Sequence, residues 1–331
     1  MLSSAPRLTG CSTTSLLPQA VIDALKKQKY HIVGKHSAVK TCHWLRTSLV
    51  RGEVCYKQRF YGIESHRCLQ MTPAVAHCTN RCLYCWRVQP EDLGVRWNEL
   101  AITDPDPPEL IAEGCLQEQR RLLAGFLGNP KADKKKVEEA FNPKHAAISL
   151  SGEPTLYPLL GELIEEFHKR GMTTFLVTNG TNPEVLEKIP PPSQLYISVS
   201  APNEEVYKKV VCPIRPDNWS RLLRSLELMR TFSCPTVIRI TLVKDVNMLD
   251  PEGYSKLIEL AEPTYIEAKA YMHLGFSVKR LKRSNMPTHE EVHAFSQELA
   301  NLTGYRIIDE SSPSRVVLLS KLKQPKKIAP P

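Results

Sequence analysis

The stretch Cys78-Thr79-Asn80-Arg81-Cys82-Leu83-Tyr84-Cys85 sets three thiols four and three residues apart. Thiolates at that spacing can fold around one corner of an iron-sulfur cube and hold three of its four irons. A fourth iron without a protein ligand can accept the amino and carboxylate groups of S-adenosylmethionine, which turns an electron carrier into a radical generator. With 10 cysteines in 331 residues, the chance of meeting this spacing by accident is about 0.01. The competing use of the same thiols is a structural zinc ion, which wants four ligands; His77 is the only other candidate close in sequence. Tyr84, just before the third cysteine, suits a loop that packs near an adenine ring.

Outward from this loop the chain alternates between strand and helix. Short apolar or β-branched runs at 69–74, 145–150, 173–177, 194–199, 236–243 and 265–271 read as six strands. Helical spacing fills 158–170, 182–189, 219–231, 251–260 and 289–302. The pattern predicts an α/β fold, a partial barrel of six strand-helix units, too few for a closed barrel of eight. The cluster loop then follows the first strand, on the face where the carboxyl ends of the strands gather and such folds do chemistry. Residues 1–66 form an N-terminal cysteine-rich extension, 67–303 the barrel, and 304–331 two edge strands (305–309 and 315–319) with a basic tail from Lys321 that reads as disordered. Between Pro90 and Pro143 lies an insertion with a proline-marked loop, a helix over 109–126 and a charged run over 131–139.

Net charge is +9, from 44 basic and 35 acidic side chains, an excess that draws a protein toward polyanions without identifying one. Hydrophobic residues make up 42% and charged residues 24%, as in a globular chain. No apolar run is long enough to span a bilayer, and residues 1–20 lack the apolar block of a secretory signal, so a cytoplasmic protein with no membrane partner is expected. Seven of the ten cysteines fall between Cys11 and Cys85, a crowding that points to metal ligation rather than disulfides.

The expected strand ends carry polar residues that suit a cradle for S-adenosylmethionine. Ser151, Gly152 and Glu153 follow the second strand, where an acid and exposed backbone can receive an ammonium group; the same residues could equally cap the next helix. Thr178 and Asn179 follow the third strand, where Asn can bond a ribose hydroxyl. Ser198 and Ser200 share one face of the fourth, and Glu267, Lys269 and Tyr271 share one face of the sixth. Charges aimed into a barrel are candidates for function, with a buried ion pair as the alternative.

Three further cysteines, Cys42, Cys55 and Cys68, precede the first motif at intervals of 13 residues (55 − 42 and 68 − 55). They suggest a second cluster, again one ligand short, whose free iron could act as a Lewis acid toward a small carboxylate or keto acid; thiols that are merely buried are the alternative.

The pairing of the two triplets, with Tyr56-Lys57-Gln58-Arg59-Phe60-Tyr61-Gly62-Ile63 after Cys55 and Glu267-Ala268-Lys269-Ala270-Tyr271-Met272 near the end, resembles the archaeal tRNA 4-demethylwyosine synthase family over residues 40–320. The resemblance implies a radical S-adenosylmethionine enzyme, a carbon-carbon lyase of wybutosine biosynthesis, with two 4Fe-4S clusters: Cys78, Cys82 and Cys85 for the radical cluster, Cys42, Cys55 and Cys68 for the auxiliary one. It also implies Lys57 as the catalytic amine that forms a Schiff base with pyruvate. On that resemblance the substrate is N1-methylguanosine beside the anticodon of tRNA-Phe. A deoxyadenosyl radical takes a hydrogen from the N1-methyl group, the carbon radical adds to pyruvate, and loss of the pyruvate carboxyl carbon with ring closure gives 4-demethylwyosine. An anticodon base must be splayed out to enter a barrel; Lys279, Arg280, Lys282 and Arg283 are the expected phosphate contacts, with Lys321, Lys323, Lys326 and Lys327 as a second set. Eukaryotic relatives carry a flavodoxin-like domain, and only about 40 residues precede Cys42 here, so a separate flavodoxin or ferredoxin-type electron donor is expected, serving a monomer. Ser151 stands where many radical enzymes have glycine. The rival class is a radical enzyme acting on a protein or small molecule, its second cluster only relaying electrons; a noncatalytic electron-transfer or RNA-binding protein is the third.

Overall fold

The computed structural model describes residues 16–329, so most of the N-terminal segment read for a targeting signal lies outside the described residues. Before the first expected strand, His31–Val33 (β1) and Ser37–Val39 (β2) form an antiparallel hairpin, and β2 pairs antiparallel with Cys68–Thr72 (β3). From β3 onward the sheet is parallel through His145–Ile148 (β4), Thr173–Thr178 (β5), Gln194–Ser198 (β6), Thr236–Leu242 (β7) and Tyr265–Ala270 (β8). Arg306–Ser311 (β9) and Val316–Ser320 (β10) add an antiparallel pair, with β10 against β8. Among the described residues this makes one ten-stranded sheet, ordered β1 to β8 and then β10 and β9. Neighbours in sequence are neighbours in space, as right-handed strand-helix-strand units require. The sheet stays open, so the expected six-unit partial barrel is present, extended at each edge by a hairpin.

The helices in chain order are Gln19–Lys27 (α1), His43–Val50 (α2), Tyr56–Tyr61 (α3), Pro108–Leu127 (α4), Lys134–Ala140 (α5), Leu160–Lys169 (α6), Pro183–Leu186 (α7), Glu204–Val211 (α8), Asn218–Leu228 (α9), Pro251–Ala261 (α10) and His289–Thr303 (α11). Strand alternation sorts side chains between two cores. Leu69, Met71, Ile148, Leu176, Ile197 and Ile240 turn outward and are buried against the stripes of the covering helices. Phe175, Tyr196, Val237 and Tyr265 turn inward and meet Tyr56, Phe60 and Tyr61 of α3. Helix α3 thus plugs the barrel interior, and each buried ring there contributes roughly 1.5–3 kcal/mol.

Two expectations change, and one segment gains an element. The helix expected over 182–189 is the single turn α7, because Pro190, Pro191 and Pro192 cannot continue it. The charged run over 131–139, given no element in sequence, contains α5, which Asp133 caps by accepting from the Lys136 amide at 3.1 Å. The basic tail, expected to be disordered, is pinned. Ile328 donates its amide to the Tyr61 carbonyl at 2.9 Å, the Lys326 amide donates to the Tyr265 hydroxyl at 2.7 Å, and Leu322 and Ile328 pack on the α3 core.

Candidate active site

Immediately after β3 the cluster loop is held as irregular backbone by its neighbours. The Arg81 amide donates to the Val211 carbonyl at 3.0 Å and the Leu83 amide to the Val210 carbonyl at 2.9 Å, so the end of α8 splints the loop. Asn179 Nδ2 donates to Thr79 Oγ1 at 2.8 Å and approaches Cys78 Sγ at 3.8 Å. A cavity of about 310 Å³ opens at the carboxyl ends of the strands, lined by Cys78, Cys82, Cys85 and Tyr84. Ser151, Gly152, Glu153, Thr178, Asn179, Ser198, Lys269 and Tyr271 line it too. Ser200 stands one step behind, accepting the Tyr84 hydroxyl at 2.8 Å.

Glu153 is buried, and its carboxylate is already well supplied. Oε1 accepts from the Thr155 amide at 3.1 Å, the Thr155 hydroxyl at 2.6 Å and the Thr178 hydroxyl at 2.6 Å, while Oε2 accepts the Asn179 amide at 2.7 Å. Burial still raises its pKa, against the pull of those donors. The acid therefore ties β4 to β5 under the cavity and keeps room on Oε2 alone for a further donor. Of the two uses expected of this segment, the cap falls one step early: Glu153 caps the turn over Pro154–Leu156, and α6 begins at Leu160 with no side-chain cap.

The second triplet sits at the other end of β3. Cys42 caps α2, accepting the Leu45 amide at 3.2 Å; Cys55 precedes α3; Cys68 opens β3 on the face shared with Gln70 and Thr72. Among the described residues, one group of three metal-ligating atoms lies within 4.8 Å of one another, Glu64, His66 and Glu139, and it includes no cysteine. Sulfurs sharing one tetrahedral zinc would stand roughly 3.8 Å apart. Neither triplet is gathered for a single ion, yet the members of each feel one another. Burial first, then Cys78 and Cys85, pushes the Cys82 thiol well above its ordinary range. Burial, then Cys42 and Cys55, raises Cys68; burial and then Cys55 push Cys42 up to about 11. Three soft donors sharing one neighbourhood without closing on a single point suit a cluster better than one zinc ion, and the positive irons of a cluster would draw off the thiol protons.

Between the two ends lies a polar layer. The Lys57 amine rests 4.0 Å from the Tyr196 ring centre and 4.7 Å from that of Phe175. Burial, then the Arg239 charge, lowers its pKa to about 8, with Glu267 and Cys55 opposing. Lys269 is lowered to about 8 by the same two causes, and its amine donates to the Ser314 carbonyl at 2.7 Å. Glu267, expected to touch the cofactor, does not reach the cavity. It accepts the Tyr56 hydroxyl at 3.0 Å, the Tyr61 hydroxyl at 2.8 Å and Arg239 Nη2 at 3.1 Å, the buried ion pair that was its alternative. Burial works against its charge, but Arg239 and then Lys57 outweigh that and hold the carboxyl below its ordinary range. Lys57, Cys42, Cys55 and Cys68 lie outside the cavity lining as well; Arg239 and Lys269 belong to both the lining and this layer.

Arg280, expected among the phosphate contacts, is spent inside the protein. Its guanidinium donates to the Leu83 carbonyl at 3.3 Å, to the Cys85 carbonyl and to Asp92, which clamps the cluster loop. Lys279 donates to the Asp92 carbonyl at 3.2 Å, whereas Lys282 and Arg283 are exposed. Sequence reasoning missed Arg239 and Thr241, both in the cavity lining. The alternation used for β6 and β8 would have found them, since Val237, Arg239 and Thr241 share the inward face of β7. Tyr56 and Tyr61 had no such signal, because a six-residue helix is too short to show a period.

Residues 73–258 match the family model of the radical SAM superfamily, and residues 260–321 match one for wyosine base formation. The S-adenosyl-L-methionine-dependent tRNA 4-demethylwyosine synthase of Pyrococcus abyssi is 54% identical over 311 residues, 92% of this chain and 90% of that protein. The synthase of the same description from Methanocaldococcus jannaschii is 42% identical over 305 residues, 92% of this chain and 96% of that one. The solved structure of TYW1 with a lysine-pyruvate adduct bound superposes with a TM-score of 0.84 at 39% identity, covering 95% of this chain and 99% of that chain.

Proposed function

The chain belongs to the S-adenosyl-L-methionine-dependent tRNA 4-demethylwyosine synthase family, within the radical SAM superfamily, and from that premise we propose that it joins pyruvate carbons to N1-methylguanosine beside the anticodon of tRNA-Phe, giving 4-demethylwyosine. The superfamily brings with it S-adenosylmethionine and a 4Fe-4S cluster. Cys78, Cys82 and Cys85 would hold that cluster, which when bound supplies reductive cleavage of S-adenosylmethionine and so a hydrogen-abstracting carbon radical. Gly152 and Asn179 keep the strand-end loops pressed on the cluster loop, and the Tyr84 hydroxyl, fixed by Ser200, sets one wall of the cavity. Cys42, Cys55 and Cys68 are our candidates for a second 4Fe-4S cluster, beside the pyruvate site. An external flavodoxin or ferredoxin supplies electrons, and the enzyme works as a monomer in the cytoplasm.

Lys57 binds pyruvate as an imine. One observation carries this role: a lysine amine buried against Tyr196 and Phe175, in the layer between the two cysteine triplets, where bulk water is excluded. An amine held there is closer to its neutral, nucleophilic form than one on the surface. The TYW1 structure with a lysine-pyruvate adduct is in keeping with it. The exposed Lys282 and Arg283 meet tRNA phosphates.

Anaerobic turnover of the iron-loaded protein with labelled pyruvate and N1-methylated tRNA tests the proposal. A modified nucleoside carrying two labelled carbons is the expected product. Deoxyadenosine without any labelled nucleoside would turn the reading toward the activase-like alternative. Lys57→Ala is expected to abolish product while leaving iron content unchanged; full retention of product would remove the imine.

A further inference from the structure

Arg239 is the charged side chain that the sequence reading passed over, and its hydrogen bonds are unevenly spent. Nε and Nη2 donate to Glu267 Oε2 at 3.2 and 3.1 Å, and Nη2 donates to the Tyr56 hydroxyl at 2.8 Å. Nη1 makes no hydrogen bond among the described residues. The residue lines the cavity that the first cysteine triplet opens on, and its guanidinium lies 4.7 Å from the centre of the Tyr196 ring. Tyr196 is also the ring on which the Lys57 amine rests, at 4.0 Å. One aromatic wall is therefore shared by the amine that would take a keto carbon and a guanidinium with a free donor.

Charge in this layer is unbalanced. Lys57, Lys269 and Arg239 face a single carboxylate, Glu267, which both tyrosine hydroxyls and Arg239 already occupy. Basic groups that outnumber the carboxylates of a buried layer favour entry of one small anion. The Nε and Nη2 edge of the guanidinium is filled by Glu267 and Tyr56, which fix it in orientation before any ligand arrives and leave Nη1 to give a carboxylate one charge-assisted hydrogen bond.

Resting on the pyruvate reading above, we propose that Arg239 is the carboxylate receiver of the 2-oxo acid, using its unpaired Nη1 to present the keto carbon to Lys57. The amine nitrogen then adds to the keto carbon, and both amine hydrogens leave with the keto oxygen as water, closing the C=N bond. No oxidant or reductant enters this step. Glu267 and Tyr56 are positioning residues that act through Arg239. The acid would need a carboxylate next to its keto group and little bulk beyond, because Phe175 and Tyr196 close that side.

Borohydride trapping on the iron-loaded full chain, read by intact mass without tRNA or S-adenosylmethionine, tests this. Wild type is expected to show saturable trapping of pyruvate on Lys57. Arg239→Gln should raise the pyruvate concentration for half-trapping on the order of 30-fold, the worth of one charged hydrogen bond. Because Arg239→Gln strands Glu267 as a buried unpaired charge, the neutral pair Arg239→Gln/Glu267→Gln is the companion variant, and the same rise is expected there. Methyl pyruvate, whose ester carries no charge, separates anchoring from damage: it should be trapped alike by wild type and the paired variant. An unchanged half-trapping concentration for pyruvate in the folded variants would overturn the role of Arg239. So would equal weakening for pyruvate and its ester, which would make Arg239 structural. Wild type that traps no pyruvate would instead overturn the imine reading, and this inference with it.

Discussion

Gly152 shows how one missing side chain brings the two halves of the radical site together. It sits at φ +76°, and a Cβ there would stand 1.9 Å from the Ala74 carbonyl oxygen and 2.5 Å from that of His77. Both obstacles are backbone, so no rotamer change relieves them. Gly152→Ala is expected to cost at least about 3 kcal/mol and to loosen the cluster loop. Urea unfolding and the iron-to-protein ratio after anaerobic reconstitution measure the two effects; wild-type values for both would show that the close approach is unimportant. The glycine was legible from its place after a strand, but its reason was not. In sequence it reads as open backbone for a ligand; in the fold it is pressed on another loop. Glu267, also read as a ligand contact, is bonded to Tyr56, Tyr61 and Arg239 away from the cavity, whereas Glu153 lines the cavity while bonded to Thr155, Thr178 and Asn179. A carboxylate in sequence does not reveal how many donors will surround it.

At the scale of elements, β4 and the chain leading into β3 meet through His145. Its Nε2 accepts the Glu64 amide at 3.0 Å, and the ring proton then lies on Nδ1, facing the Thr173 hydroxyl at 2.7 Å. Burial lowers this histidine from 6.5 to about 4, so the folded protein keeps the ring neutral where the unfolded chain would protonate it. The stability it contributes is complete above pH 6.5 and is lost as pH falls toward 4. Between pH 7 and 5 the loss amounts to about 2 kcal/mol. Urea unfolding at both pH values should show His145→Gln losing less stability than wild type over that interval; identical losses would mean that another group sets the acid limit. Strands β3 to β8 were readable because each is a short apolar run bounded by turn residues and followed by a helical stripe. The hairpin of β1 and β2, with three residues in each strand, carries too few positions for a period to register. Helix α3 escaped for the same reason, although it brings Lys57 into the barrel.

Taken whole, the molecule carries its excess of nine positive charges unevenly, because many basic residues are committed within the fold. Arg280 clamps the cluster loop and Arg239 belongs to the interior layer, which leaves Lys282 and Arg283 among the exposed cations next to the cavity segment. Lys282→Glu/Arg283→Glu is expected to weaken binding of N1-methylated tRNA about 10-fold at moderate salt and to flatten the salt dependence of log K by roughly 1.5. Filter binding across a salt series measures both, and an unchanged slope would place the RNA elsewhere. Chemistry written as adjacent residues was fixed by the chain itself: the spacing of Cys78, Cys82 and Cys85, the order of strands and helices, and the second triplet with Lys57 two residues after Cys55. Local geometry over a few residues needs little from the rest of the molecule, and parallel strands in sequence order admit few topologies. Tertiary structure alone decided which charges meet. Tyr56, Arg239 and Glu267 are 183 and 28 residues apart in turn, yet hydrogen-bond to one another; the tail ending near Ile328 closes on Tyr61. Such partnerships depend on burial and on the phase of distant strands, and the energy of a charge depends on what surrounds it more than on its neighbours along the chain.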